Sequence, residues 1–133
     1  MFDRNTQPAP KLPERFVDQA ETLIKDMQSD RISISSSKLY NMFCLFSETY
    51  NKCMHANEEK LSNEQMASIQ AARVRIVYEC GRDPIVKTFV NKTGMLNYLR
   101  DIGDSKGRLI NYYHYLEALV AYGKYYGVIS SKK

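Results

Sequence analysis

Apolar residues recur at helical spacing along most of the chain. Phe16, Ala20, Leu23, Ile24 and Met27 fall on one face at about 100° per residue and predict a first helix near 13–28. Leu39, Met42, Phe43, Phe46, Tyr50, Cys53 and Met54 form the stripe of a second helix near 37–56, after a serine-rich connector over 29–37. Ser62 and Gln65 have the spacing of a capping box and open a third helix. That helix is expected to close at Gly81 in the left-handed conformation. Asp83-Pro84 restarts the chain, with an N-cap acceptor followed by proline at the first helical position. The fourth helix stops at Gly94. A fifth, with Met95, Leu96, Tyr98, Leu99 and Ile102, stops at Gly103. A last one over 105–126 ends at Gly127. No stretch alternates long enough to read as a strand. The fold class is all-α: a compact bundle of five to six helices.

Pro8, Pro10 and Pro13 and a lack of apolar content mark residues 1–13 as an N-terminal tail. Residues 14–127 form the single helical domain, and 128–133 a C-terminal tail. With 133 residues and 44% hydrophobic content, the chain has enough material for one core. No apolar run reaches membrane-spanning length, and Met1 to Asn5 lack the plan of a secretory signal. Cys44, Cys53 and Cys80 have neither an even count nor a regular spacing. Reduced cytoplasmic thiols acting as small hydrophobes are expected.

Charge changes the picture. Residues 1–66 carry eight Lys/Arg and ten Asp/Glu, whereas 67–133 carry eleven basic and five acidic residues. A basic half on a small domain is the footprint of a polyanion partner, or simply a solvated surface of mixed sign. On the third helix Met66, Ile69, Ala72, Ile76 and Cys80 share an arc into which Arg73 also projects. Arg73 therefore snorkels, pairs with a buried acid, or faces a partner. Val74 and Tyr78 lie opposite, so the helix is expected to be central, with two covered faces. Arg75, Glu79 and Arg82 make a separate polar line. It is either a local ion-pair ladder or a row of guanidinium groups presented to phosphates. On the last helix Tyr112, Tyr115, Leu116, Leu119, Tyr122 and Tyr126 share one arc and read as core. Tyr125 points away and is the one suited to an outward role, such as stacking on a base or a protein contact.

Nothing assembles a catalytic constellation. His55 and His114 stand on different helices, and Cys53 and His55 point apart on theirs. No zinc-protease, paired-cysteine or phosphate-loop motif occurs. Gly103-Asp104-Ser105-Lys106-Gly107 reads as an interhelical turn with Asp104 or Ser105 as N-cap. Its amides, with Lys106 and Arg108, could meet a phosphate. Cofactor and metal are expected to be absent.

Two segments carry a family resemblance. Arg73-Val74-Arg75-Ile76-Val77-Tyr78-Glu79-Cys80-Gly81-Arg82-Asp83 resembles the V-R-x-x-Y-E-x-G-R-D stretch of the small subunit of the type III-A CRISPR effector, the Csm complex. Ile102 to Lys106, followed by Tyr115-Leu116-Glu117-Ala118-Leu119-Val120-Ala121-Tyr122 and Lys124-Tyr125-Tyr126-Gly127, is similar to that family's C-terminal segment, and Lys60-Leu61-Ser62 also fits. The resemblance covers roughly 35–127. It implies a small helical, non-catalytic subunit. Several copies would stack as a filament beside the backbone subunits, line the channel where target RNA pairs with guide RNA, and contact other effector-complex proteins in the cytoplasm, with no membrane partner.

On that footing, basic side chains would hold the sugar-phosphate backbone without reading bases, because pairing to the guide reads sequence. Charge and position single out Arg75, Arg82, Lys106 and Lys124, then Lys52 and Arg73. Two other readings stand beside this one: a helical protein–protein scaffold that never touches RNA, and a phosphodiester enzyme built on the Gly103–Arg108 turn.

Overall fold

A computed structural model describes residues 12–54 and 59–130, without the side chains of Asn41 and Leu45. His55 and all of the predicted N-terminal tail but Leu12 and Pro13 lie outside them. Six helices are present: α1 (Phe16–Ser29), α2 (Ser36–Met54), α3 (Asn63–Arg82), α4 (Pro84–Thr93), α5 (Met95–Asp101) and α6 (Lys106–Tyr125). They form the all-α bundle the periodicity predicts. Two short strands, β1 (Ile34–Ser35) and β2 (Ile129–Ser130), pair in parallel with Ile34 opposite Ile129.

Local chemistry sets most boundaries. The Ser62 hydroxyl accepts from the Gln65 amide at 3.1 Å, and the Gln65 side chain accepts from the Ser62 amide at 2.8 Å. Asp83 caps α4 by accepting from the Ile85 amide at 3.0 Å, with Pro84 at the first helical position. Gly94 joins α4 to α5 in the left-handed region at φ 71°. Of the two candidate caps for α6, Ser105 is the one that acts, accepting from the Arg108 amide at 3.1 Å.

Four expectations are corrected. Gly81 stays helical, and α3 runs on to Arg82, because Asp83 stops one helix and caps the next without a left-handed residue. The predicted connector and C-terminal tail both contribute to the core: Ile34, Val128 and Ile129 are buried, and Ile129 packs where a side chain at Gly123 would stand. Cys53 and Cys80 are buried, but Cys44 is exposed. Finally, α3 is not covered on both faces. Val74 is 69% exposed and Tyr78 59%, with Val77 exposed beside them.

The core lies between α6 and the surrounding helices. Tyr112 and Tyr115 are among its largest members, and each is buried with its hydroxyl satisfied. Tyr112 donates to the Met95 carbonyl at 2.8 Å, and Tyr115 donates to the Thr93 carbonyl at 2.7 Å. Burial pushes both phenols well above the ordinary tyrosine value. Phe46 meets the Tyr112 ring edge-on with centroids 5.0 Å apart. No helix among the described residues is long and apolar enough to cross a membrane.

Candidate nucleic-acid interface

The segment between α2 and α3 is fastened to the α5–α6 turn. The Leu61 amide donates to the Asp104 carbonyl at 2.8 Å, and the Lys106 amide donates to the Glu59 carbonyl at 3.0 Å. These bonds gather the end of α2, the starts of α3 and α6 and the end of α5 at one pole of the bundle. Three of the six candidate cations lie on this side. Lys52 is exposed near the end of α2. Lys106 opens α6, and its charge acts on the Cys53 thiol, whose pKa burial nevertheless raises. Arg73 is half-buried and lines a depression of about 110 Å³ with Gln70, Leu99, Arg100 and Gly103. Arg73 thus leaves the apolar arc at its edge and has no carboxylate partner among the described residues, which is the snorkelling solution.

Arg100 was not among the sequence candidates. Its charge is its only sequence signal, because its neighbour in the depression, Arg73, comes from another helix. Arg108 is neutralised locally: its guanidinium donates to the Asp101 carbonyl at 3.2 Å and lies 3.8 Å from the Asp101 carboxylate.

Arg75 and Arg82 form a second group on α3. Glu79 is buried between them, 3.3 Å from Arg75 Nε and 3.8 Å from Arg82 Nε. One carboxylate serves two guanidinium groups, so the ladder is real and still leaves net positive charge. The two arginine side chains remain 54% and 63% exposed. Arg82 also sits 5.9 Å from the centroid of the Tyr78 ring. The ion-pair reading of this polar line is thus observed, and both guanidinium groups stay open to solvent. Just past Arg82, Lys38 donates to Asp83 at 2.5 Å and holds its carboxyl below the usual aspartate range.

Lys124 stands apart. It is exposed near the C-terminus of α6, eighteen residues or about 27 Å along the helix from Lys106. Beside it Tyr125 is 79% exposed, as its position on the far side of the stripe predicts, and its ring meets Tyr126 edge-on at 4.9 Å. Tyr126 donates to Glu21 at 2.7 Å, and that bond leads the rise of its pKa to about 12. The cations thus occupy three places on the surface.

Among the described residues no group of three or more His, Cys, Asp or Glu could hold a metal ion. His114 is exposed and bonds Glu117 at 2.8 Å, three residues on. An apolar groove of about 330 Å³ between α2 and α6, lined by Phe43, Tyr113, Leu116 and Val120, carries no cation.

Fold and surface together define a small helical module with basic side chains at three places on its surface. Comparison with known proteins identifies the family. The family model described as Csm2 Type III-A matches residues 11–128. A Mycobacterium tuberculosis protein named CRISPR system Cms protein Csm2 is 31% identical over 116 residues, covering 86% of this chain and 93% of its own length. Proteins of the same name from Streptococcus thermophilus (32% over 117 residues, 86% and 93%) and Enterococcus italicus (34% over 96 residues, 70% and 68%) are similar too. The chain belongs to the Csm2 family, small subunits of type III-A CRISPR effector complexes.

Proposed function

We propose that this subunit is non-catalytic, stacks in several copies along the backbone filament of a cytoplasmic type III-A complex, and contacts the guide–target RNA backbone without reading sequence. Family membership supports the place in the complex. The observation that carries the RNA contact is the pole where Arg73, Arg100 and Lys52 have no carboxylate partner among the described residues. Unpaired cations at a surface are available for phosphates, whereas a paired one such as Arg108 must first give up its carboxylate. Lys106, half-buried at the first turn of α6, adds charge there. Arg75 and Arg82, sharing one carboxylate, are the second contact group, and Lys124 is the outlying one.

Guanidinium groups can bond phosphate oxygens in pairs, and lysines act as point charges. Each phosphate neutralised steepens the dependence of affinity on salt by about 0.7–0.9 log units per log of salt. A single subunit with a few such contacts holds free RNA weakly. Copies in series, already positioned by the complex, add through effective concentration.

Photo-crosslinking of target RNA to the assembled complex tests the reading. Crosslinks to peptides around Arg73, Arg100 and Lys106 are expected. A complex that binds target normally but yields no crosslink to this subunit would support the scaffold reading, which the exposed apolar side chains of α3 favour.

A further inference from the structure

The end of the bundle where α6 finishes is tied by two bonds between the same pair of segments. The Gln28 side chain donates to the Tyr126 carbonyl at 2.8 Å. The Ile34 amide donates to the Val128 carbonyl at 2.9 Å, and Ile34 pairs with Ile129. Arg31 lies midway between Gln28 and Ile34, and Lys124 and Tyr125 immediately precede Tyr126. Two cations and a tyrosine therefore share one end of the molecule. All three are exposed, and the Tyr125 ring is steadied by its edge-on contact with Tyr126.

Arg31 is the unusual member. Among the described residues it alone, glycines aside, has a positive φ, at 60°. The backbone around it closes α1: its amide donates to the Gln28 carbonyl at 3.0 Å, and the Ile32 amide donates to the Met27 carbonyl at 2.9 Å. Such a left-handed stop favours glycine, because a Cβ crowds the backbone there. The arginine side chain makes no hydrogen bond or ion pair among the described residues. Its neighbour Asp30 faces Lys92 instead, at 3.7 Å. Arg31 thus strains the turn and gives the fold no side-chain bond, which leaves its charge free for a ligand. Lys124 is equally unpaired among the described residues.

We infer that this end is a second RNA site, one that takes an unpaired stretch: a base stacks on Tyr125 while Arg31 and Lys124 hold the neighbouring phosphates. To the RNA contact proposed above, on which it rests, the site adds a preference for single strands. The depression at Arg73 is lined by no aromatic ring, so its cations meet a paired backbone as readily as an unpaired one. An exposed tyrosine between cations needs a base free of its partner strand. Stacking tolerates any base, since each has a π-face, so this site reads no sequence either.

Fluorescence anisotropy tests this, with the full chain titrated at low salt into a labelled RNA of about ten nucleotides, single-stranded or annealed to its complement. Tighter binding of the single strand is expected. Tyr125→Ala should weaken that binding by about fivefold or more without changing its salt slope, and leave duplex binding as it was. Tyr125→Phe should bind like wild type. Arg31→Gly and Lys124→Ala should each make the salt slope shallower by about 0.7. Arg31→Gly should also hold or raise the melting temperature, because it relieves the left-handed turn. A wild type with no preference for the single strand overturns the inference, as does a Tyr125→Ala chain that binds it normally. If Lys52→Ala, Arg73→Ala and Lys106→Ala together still lower RNA binding, only this site is refuted; if they too change nothing, the RNA contact fails with it. An Arg31→Gly chain that is less stable and binds RNA normally would assign Arg31 to the carbonyl end of α1 and refute its part in the site. Poorer incorporation into the complex with RNA binding unchanged would give this end to another subunit, and likewise refute the site.

Discussion

The outer face of α3 and the inner face of α6 show the same periodicity and opposite fates. Both carry bulky residues at helical spacing, tyrosine among them. On α6, Tyr112 and Tyr115 are buried, and each hydroxyl donates to a backbone carbonyl at the junction of α4 and α5. On α3, Val74 and Tyr78 stand in water between two arginines. Periodicity locates a stripe, but it does not say whether the rest of the bundle covers it. What distinguishes the two is the polar surroundings. The α6 stripe has acceptors waiting for its hydroxyls, and the α3 stripe is flanked by cations that keep it at the surface. A sticky face beside positive charge suits a subunit that must be placed among other molecules.

This contrast can be broken by substitution, beginning with the largest effect. Tyr112→Ala should cost about 3–5 kcal/mol, by lost burial, a cavity and the lost bond to the Met95 carbonyl, read as a large fall in the denaturant midpoint. Val74→Ser on α3 belongs at the other extreme, within about 0.5 kcal/mol of wild type by the same measurement. Between them, Asp83→Ala removes the cap of α4 and the partner of Lys38 and should cost about 1–2 kcal/mol.

Asp83 also gives a pH signature. Its folded pKa is lowered, so its contribution is complete above the ordinary aspartate value and is lost as pH falls through the depressed one. Acid titration of stability should show that loss in wild type and not in Asp83→Ala. Gly94→Ala, at φ 71° and with the new methyl 2.9 Å from the Tyr98 ring, should cost about 1–2 kcal/mol in the same denaturation series. A small effect, confined to alkaline pH, is expected at Tyr126. Its folded pKa is raised to about 12, so the benefit of its bond to Glu21 is present below the ordinary tyrosine value. It fades between about pH 10 and 12, and Tyr126→Phe should flatten that limb of the stability curve.

What could be read from the sequence was short-range. The Ser62–Gln65 box, the Asp83-Pro84 start and the stop at Gly94 each involve residues a few positions apart, and each forms. Gly81 misled because glycine permits a left-handed turn but does not demand one. The β1–β2 pair had little signal, since Ile32-Ser33-Ile34-Ser35 alternates over only four residues and Ile129-Ser130 over two. The candidate interface was legible as charge but not as place. Helical phase put Arg75 and Arg82 on one line with Glu79, and there they stand. Arg73 and Arg100 meet across two helices, which only the tertiary fold decides. Cys44, expected as a small hydrophobe, faces solvent on a helix whose stripe lies elsewhere.

The central claim is that this subunit grips RNA by charge and does no chemistry on it. Its most direct test is target-RNA binding by the assembled complex carrying Lys52→Ala, Arg73→Ala and Lys106→Ala together, measured across a salt series. The account predicts weaker binding and a salt slope shallower by about 0.7–0.9 for each phosphate no longer neutralised, with target cleavage by the bound complex unchanged. An intact complex whose affinity and slope both match wild type would contradict it.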